Sequence, residues 1–247
     1  WLLFLKFWAK KGLPAESKQQ LSKMRQFHLK NNSKTIIVFF CGWGSDEIPY
    51  LPLKTDCDML FCSDYSTLPE KIDFDFSKYE NKYLIGFSFG VYAAGLCISR
   101  GLLPEFDKKI AINGTLMAVD EEFGVPEKKF LLSMKMDETT VKKFRARLFH
   151  EEKDLKTFEE NLPKRSAKSC TDELLAVQKY VRKNPCPKAD FDVIYTGKYD
   201  KVIPVKNQKN FWQNKCSCTT IDLESGHFPF YGFKNFEEIL IPCLNYD

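Results

Sequence analysis

Residues 83–100 combine an apolar segment, a Gly-x-Ser-x-Gly pentapeptide and a run of small residues without a break. Residues 83–87 (YLIGF) have the uninterrupted apolar character of a strand that is buried on both faces of a sheet. Residues 89–100 suit a closely packed helix, which we expect to end at Gly101. So few residues between strand and helix leave room only for a sharp turn, which is typical of a βα unit in a parallel sheet.

Other apolar segments extend this βα pattern along the chain. The length of 247 residues suits one large α/β domain, and the scattered 12 Gly and 12 Pro exclude collagen-like and low-complexity structures. Strands are predicted at residues 35–41, 58–62, 83–87, 109–113, 191–195 and 218–222. Helices are predicted beside the last two strands, at residues 205–214 and 233–244. The alternation predicts an α/β fold with a mostly parallel central sheet flanked by helices.

Residues 126–188 interrupt this alternation. They show helical spacing of apolar residues, are punctuated by prolines and contain no clear strand pattern. We interpret them as a helical cap inserted into a core formed by residues 25–125 and 189–247. Residues 1–24 are then an N-terminal extension of unknown role.

The nine cysteines indicate a reducing compartment, because their number is odd and their spacing irregular. Cys216 and Cys218 form a Cys-x-Cys pair, with no second pair or nearby His to complete a zinc site. The net charge of +4 is only mildly basic, which does not indicate a nucleic-acid partner. We therefore expect a cytoplasmic protein.

The first eight residues (WLLFLKFW) are strongly apolar, yet too short to span a bilayer, which takes about 20 apolar residues. They also lack the features of a signal peptide. No transmembrane segment is predicted. We interpret this stretch as a helix packed on the domain or as the end of an upstream fused domain; an amphipathic helix on a membrane surface is the less favoured alternative.

Ser88, at the centre of the pentapeptide, is the candidate nucleophile. A serine hydroxyl reacts poorly at neutral pH and needs a base. His227 is the candidate base, because it follows the last predicted strand and its loop reaches the same edge of the sheet as Ser88. The other two histidines, His28 and His150, are interpreted as surface residues.

Asp200, in the loop after the strand at 191–195, is the candidate partner that orients the base. The chain order of serine, aspartate and histidine is then that of the α/β-hydrolase fold. Asp64, Asp190 and Asp192 are weaker candidates, and a simple turn at Asp200 is the structural alternative.

Two backbone N–H groups are needed to stabilise a tetrahedral oxyanion. Phe89, which follows the nucleophile, and Trp43, in the loop after the first strand, are the predicted donors of this oxyanion hole. A simple turn at the strand end is the alternative for the loop. Four glycines allow close approach of backbone and substrate at these two turns: Gly42, Gly44, Gly86 and Gly90.

Residues 39–47 (FFCGWGSDE), residues 86–94 (GFSFGVYAA) and the segments around Asp200 and His227 together resemble the BioG-type pimeloyl-[acyl-carrier protein] methyl ester esterases. The resemblance covers roughly residues 25–247. It implies an α/β-hydrolase that removes the methyl ester from pimeloyl-acyl carrier protein during biotin precursor synthesis. Such a reaction requires no metal and no organic cofactor.

Positive charge is concentrated in the predicted cap, which contains 16 Lys and Arg but only 10 Asp and Glu. A solvated helical face is the ordinary interpretation of such charges. Acyl carrier protein is acidic, however, and a basic rim would attract it. The densest group is Lys142, Lys143, Arg145 and Arg147, followed by Lys164, Arg165 and Lys168. Apolar cap residues could also line an acyl-chain pocket, namely Phe130, Leu131, Phe144 and Leu148, but packing of the cap onto the domain is the preferred interpretation for most of them.

Two other interpretations stay open. The same three residues would serve a carboxylesterase or thioesterase acting on another acyl group, since only the shape of the pocket separates these reactions. A non-catalytic interaction protein with a hydrolase fold is the alternative from another class, although the complete set of candidate residues argues against it.

Overall fold

The computed structural model describes residues 24–68, 70–213 and 218–244. Within these ranges a seven-stranded sheet has the order β1-β3-β2-β4-β5-β6-β7. The predicted extension up to residue 23 and Cys216 lie outside the described residues. The strands are β1 (Arg25–Leu29), β2 (Thr35–Phe40), β3 (Asp58–Ser63), β4 (Asn81–Phe87), β5 (Lys108–Ile112), β6 (Val193–Gly197) and β7 (Thr219–Leu223).

Strands β2 to β7 pair in parallel, whereas β1 pairs with β3 in antiparallel register. The centre of the sheet is covered on both faces, because all residues of β2 from Ile36 to Phe40 are fully buried. Alternate residues of β2 point to opposite faces: Val38 packs in the layer that contains Val91, and Phe39 packs in the layer that contains Phe236. This two-sided burial explains the continuous apolar runs in the sequence.

Strand β1 was not predicted, and His28 lies within it rather than ahead of the first strand. The apolar pattern of a central strand is absent from β1, because β1 is the edge strand of the described sheet and has β3 as its neighbour on one side only. Its residues are largely half-buried, so they lack the apolar run that marks the central strands.

Three helices cover the sheet: α1 (Phe89–Ser99), α6 (Val205–Gln213) and α7 (Phe236–Leu244). Two predicted boundaries shift by two or three residues. Strand β6 starts at Val193, and the carboxylate of the preceding Asp192 accepts the Lys109 amide at 2.7 Å. Helix α7 starts at Phe236, because the side chain of Asn235 accepts the Glu238 amide and caps the helix.

Four helices and no strand of the sheet lie between β5 and β6 within residues 126–188. They are α2 (Glu127–Ser133), α3 (Glu138–Ala146), α4 (Glu152–Glu160) and α5 (Ala167–Lys183). Asp137 caps α3, and Ser166 caps α5. We refer to α2–α5 and their connections as the inserted helices. None of the helices in the described ranges has the length and apolar content that a bilayer crossing demands.

Candidate active site

Ser88 occupies the turn between β4 and α1, where the backbone adopts a conformation that is rare for L-residues. Its φ is 54° and its ψ is −124°, and its amide donates to the Ile112 carbonyl at 2.8 Å. Gly90 is required here, because a Cβ at this position would lie 2.1 Å from the Phe40 carbonyl oxygen. Together with Gly86 on the other side, this turn holds the Ser88 hydroxyl at the carboxyl edge of the sheet.

His227 lies in the loop after β7 and bridges the other two predicted residues. Its Nε2 atom is 2.8 Å from Ser88 Oγ, and its Nδ1 atom is 2.7 Å from Asp200 Oδ2. An ionised carboxylate only accepts hydrogen bonds, so Nδ1 carries the proton and Nε2 accepts from the Ser88 hydroxyl. The side chains of His227 and Asp200 are 2% and 0% exposed. This arrangement can take the proton from Ser88 and stabilise the imidazolium that results.

The carboxylate of Asp200 has three further donors. The amides of Val202 and Ile203 donate to Oδ1 at 2.8 and 3.0 Å, and Nε2 of Gln208 donates to Oδ2 at 2.8 Å. Sequence reasoning missed Gln208. Nothing in the sequence distinguishes it from the other polar residues of α6, because its partner lies in the preceding loop that folds back onto the helix.

Asn113 is a second residue that sequence reasoning missed as part of the site. It is fully buried, with a φ of 47°, immediately after β5. Its Oδ1 accepts from the Gly197 amide at 2.6 Å, and its Nδ2 donates to the carbonyls of His227 and Gly226 at 2.7 and 3.2 Å. One side chain thus joins the strand end that precedes Asp200 to the loop that carries His227.

The other two histidines lie away from this constellation. His28 is at the amino edge of the sheet, where its Nε2 atom is 3.3 Å from Asp58 Oδ2. His150 is exposed and stacks on the ring of Tyr199 at a centroid distance of 3.9 Å.

The alternative aspartates also have partners elsewhere. Asp64 lies 3.4 Å from the Arg165 guanidinium. Asp190 pairs with the ammonium of Lys109, while Asp192 accepts the amide of the same lysine. The structure therefore brings Asp200, and none of these three, to His227.

The loop after β2 faces the Ser88 turn. The Gly42 amide donates to the Tyr50 hydroxyl at 3.3 Å, and the Gly44 amide donates to the Glu173 carboxylate at 3.2 Å. Between them, the Trp43 amide has no hydrogen-bond partner in the described part of the chain, and the same holds for the Phe89 amide. Two unpaired donors on facing turns are what an oxyanion hole needs.

A cleft of about 1000 Å³, including its open mouth, leads to Ser88 and His227. Its walls are largely apolar and come from the inserted helices, notably from Phe130, Phe144 and Leu148. These three residues therefore line the cleft, although packing of the cap onto the domain was the preferred interpretation for most of their group. Leu131, named with them, does not line the cleft; it is 41% exposed, because it lies on the outer side of α2. A cleft of this kind suits an extended acyl chain.

Two cysteines lie close to the loop after β2. Burial raises the pKa of Cys41 well above its ordinary value and that of Cys170 to about 11. Both side chains therefore stay as neutral thiols near pH 7 and act as small apolar groups, not as nucleophiles. Within the described ranges, no group of three His, Cys, Asp or Glu side chains is placed to hold a metal ion.

Known proteins resemble this chain in sequence. Residues 24–239 match the family model described as pimeloyl-ACP methyl esterase BioG. A protein of Bacteroides fragilis named malonyl-[acyl-carrier protein] O-methyltransferase is 33% identical over 217 residues, which cover 86% of this chain and 42% of that protein. This chain therefore spans less than half the length of that relative.

Solved structures share the fold. The crystal structure of BioG from Haemophilus influenzae has a TM-score of 0.77 at 23% identity, covering 87% of this chain and 99% of that one. An esterase from Exiguobacterium antarcticum has a TM-score of 0.66 at 17% identity, covering 90% and 94%. The predicted α/β-hydrolase fold is thereby confirmed. By its match over residues 24–239, the chain belongs to the BioG family of pimeloyl-ACP methyl esterases.

Proposed function

We propose that this chain is a serine esterase that hydrolyses the methyl ester of pimeloyl-acyl carrier protein and releases methanol, as a step in biotin precursor synthesis. The observation that carries the proposal is the hydrogen-bonded series Ser88–His227–Asp200 at the base of an apolar cleft. Family membership supports the choice of substrate. The buried free thiols of Cys41, Cys57, Cys62, Cys97 and Cys170 suit the reducing cytoplasm.

The first half of the reaction forms an acyl-enzyme. His227 Nε2 takes the proton of Ser88 as Oγ attacks the ester carbonyl, and the Trp43 and Phe89 amides donate to the oxyanion. The imidazolium, held by Asp200, then gives its proton to the leaving methoxide, so that methanol departs and the acyl group stays on Ser88.

The second half returns the enzyme to its starting state. Water enters the place vacated by methanol and gives its proton to His227 as it attacks the acyl carbonyl. The second tetrahedral intermediate uses the same two amides, collapses with return of the proton to Ser88, and releases the free carboxyl group. The net change is one water consumed and one methanol formed.

The carrier protein would dock on the basic face of α3. Lys142, Lys143 and Arg147 are exposed; Arg147 donates to the Lys201 carbonyl at 3.3 Å, and the described part of the chain gives none of the three a carboxylate partner. Arg145 is half-buried, lines the cleft and donates to the Arg165 carbonyl at 3.1 Å. Three exposed cations on the segment that lines the cleft through Phe144 and Leu148 suit an acidic protein that delivers an acyl chain.

The second basic group contributes less to such a surface. Arg165 has a side chain only 7% exposed and pairs with Glu173 and Asp64. Lys168 pairs with Asp172 on the same helix. Both cations are therefore neutralised locally.

Charge reversal of Lys142, Lys143 and Arg147 tests the docking surface. We expect kcat/KM for the carrier-bound methyl ester to fall roughly tenfold or more, because electrostatic attraction of the carrier is lost. Hydrolysis of a small methyl ester should be unchanged. A matched control reverses three exposed cations near the end of α5, Lys179, Arg182 and Lys183. Equal losses on both substrates would rule out this surface.

Mass spectrometry of methyl-pimeloyl carrier protein tests the reaction itself. Incubation with the wild type should lower the mass of the acylated carrier by one methylene equivalent, whereas Ser88→Ala should leave it intact. A thioesterase would instead release the whole acyl group. A wild type that leaves the methyl ester in place, or a Ser88→Ala variant that removes it equally fast, would refute the proposal.

The Bacteroides fragilis relative is named as an O-methyltransferase. That activity adds a methyl group, whereas the proposed reaction removes one. The chain covers 42% of that relative, so the named activity need not belong to the shared part. The buried Ser-His-Asp series favours hydrolysis, since methyl transfer needs no nucleophilic serine.

A further inference from the structure

The loop after β2 is held by the segment of the inserted helices that spans residues 164–173. The indole Nε1 of Trp43 donates to the Cys170 carbonyl at 2.8 Å. The Lys164 amide donates to Asp46 Oδ2 at 2.7 Å, and the Arg165 guanidinium reaches the Ser45 carbonyl at 3.3 Å. Trp43, the predicted oxyanion donor, thus lies in a loop that the inserted helices hold through hydrogen bonds to its side chains and carbonyls.

Glu173 binds the backbone of Gly44, the residue directly after Trp43. Its side chain is fully buried on α5, and its Oε2 accepts both the Gly44 amide and the Arg165 guanidinium, at 3.2 and 3.1 Å. Its Oε1 accepts the Tyr65 amide at 3.1 Å. Both oxygens are therefore used, and the buried charge is compensated by a cation and two backbone donors.

These contacts restrict how the loop can turn. Gly44 has a φ of 67°, and a Cβ there would lie 3.0 Å from the Cys170 sulfur. The peptide N–H groups on either side of Trp43 are occupied, by Tyr50 and by Glu173. Only the middle N–H, that of Trp43, is left to donate to a ligand.

We propose that Glu173 is a positioning residue: by accepting the Gly44 amide it fixes the loop and directs the adjacent Trp43 N–H at the developing oxyanion. The inference rests on the proposed function only in so far as Ser88 forms a tetrahedral intermediate. It also assigns a role to the inserted helices beyond lining the cleft, because the same carboxylate is held by Arg165 from within them.

Glu173→Gln tests the proposal with little change in size. The amide has one acceptor oxygen instead of two, so the Gly44 or the Tyr65 amide loses its partner. Hydrolysis of a p-nitrophenyl acyl ester should show kcat lowered about 10- to 100-fold and KM changed less than twofold, because a misplaced donor affects the transition state and not the bound substrate.

A tetrahedral inhibitor separates positioning from a general structural defect. The inhibition constant of an aliphatic trifluoromethyl ketone, which forms an oxyanion on Ser88, should rise by the same factor as kcat falls. The dissociation constant of methyl-pimeloyl carrier protein, measured in a Ser88→Ala background, should not change. Asp172→Asn is the matched control: it makes the same chemical change one residue earlier, on the exposed side of α5.

A second variant guards against loss of folding. Arg165→Met combined with Glu173→Gln removes both members of the buried ion pair and should reproduce the fall in kcat, while Asp64, which loses Arg165, is 16% exposed and keeps the Ser66 amide and hydroxyl as donors. Folded variants with unchanged kcat, or with a trifluoromethyl ketone affinity equal to that of the wild type, would overturn the assignment. Because the ester probe is generic, these outcomes are independent of whether the wild type demethylates pimeloyl carrier protein.

Discussion

Two aspartate–histidine–hydroxyl clusters lie at opposite edges of the same sheet. At the carboxyl edge, His227 stands between Asp200 and Ser88. At the amino edge, Asp58 Oδ2 accepts the Tyr79 hydroxyl at 2.6 Å, and His28 Nε2 lies 3.3 Å from both of these oxygens. The residue types are nearly the same, but at the amino edge the short hydrogen bond joins the hydroxyl to the carboxylate and not to the histidine.

That difference decides what each cluster can do. At the carboxyl edge, His227 Nε2 can take the proton of the Ser88 hydroxyl while the Asp200 carboxylate stabilises the imidazolium. At the amino edge, the Tyr79 hydroxyl donates its hydrogen bond to the Asp58 carboxylate, which also accepts the Asn31 and Ser33 amides at 2.8 and 3.0 Å. The amino-edge cluster is therefore a structural device that joins β1, β3 and the segment before β4.

The largest difference should appear when each hydroxyl is removed. Ser88→Ala is expected to lower kcat by about 10⁶-fold, since the nucleophile is lost. Tyr79→Phe should leave kcat within about twofold of the wild type and only lower stability, by about 1 kcal/mol. Steady-state kinetics and urea unfolding of both variants check this; a large fall in kcat for Tyr79→Phe would break the comparison.

Replacing the carboxylate of each cluster should again lower activity at the carboxyl edge and stability at the amino edge. Asp200→Asn should lower kcat about 10⁴-fold, because His227 loses the partner that fixes its tautomer. Asp58→Asn should instead lower the free energy of unfolding by about 2 kcal/mol with kcat unchanged, since it weakens charge-assisted hydrogen bonds. Steady-state kinetics and urea unfolding again check both variants. An inactive but fully stable Asp58→Asn variant would contradict the structural role of Asp58.

Acid should weaken the amino-edge cluster. Burial alone would raise the pKa of Asp58, but hydrogen bonds from Tyr79, the Ser33 and Asn31 amides and His28 lower it to about 2. The native pKa thus lies below the value of about 3.9 in an unfolded chain. Asp58 then stabilises the fold above about pH 4, and this contribution is lost as the pH falls towards 2.

Urea unfolding as a function of pH measures this effect. The difference in unfolding free energy between wild type and Asp58→Asn should be constant near neutral pH and shrink between about pH 4 and pH 2. A difference that stays constant over that range would show that Asp58 is not responsible.

The smallest expected effect concerns the extra donor at the carboxyl edge. Gln208→Met removes the amide that shares Asp200 Oδ2 with His227. The carboxylate should then be held less firmly against His227, so kcat should fall by about two- to fivefold. Gln213→Met, on the exposed end of the same helix, is the matched control. An unchanged kcat in a folded Gln208→Met variant would remove Gln208 from the site.

The sequence predicts the parts of the site that follow strand ends. Ser88 directly follows β4, and Asp200 and His227 lie in the loops after β6 and β7, so the topology of a parallel sheet alone brings them to one edge. Central strands are recognised because burial on two faces leaves a continuous apolar run. Their positions needed no knowledge of side-chain packing.

The residues that hold the site in place could not be predicted. Glu173, Gln208 and Asn113 act through partners that are distant in sequence or lie across a loop, and none belongs to a periodic pattern. Arg165 illustrates the limit: its charge indicated a docking surface, whereas its side chain is buried against Glu173. A sequence pattern indicates which helix or strand a residue lies on, but not which side chains it contacts in the fold.

Mapping of a fluorophosphonate adduct tests the central claim most directly, because this probe reacts with a serine only when a base has activated it. The wild-type protein should carry one adduct, on the peptide that contains Ser88. Asp58→Asn should be labelled at the wild-type rate, and Asp200→Asn far more slowly. A folded wild type without an adduct at Ser88, or with equal labelling of both variants, would contradict the account.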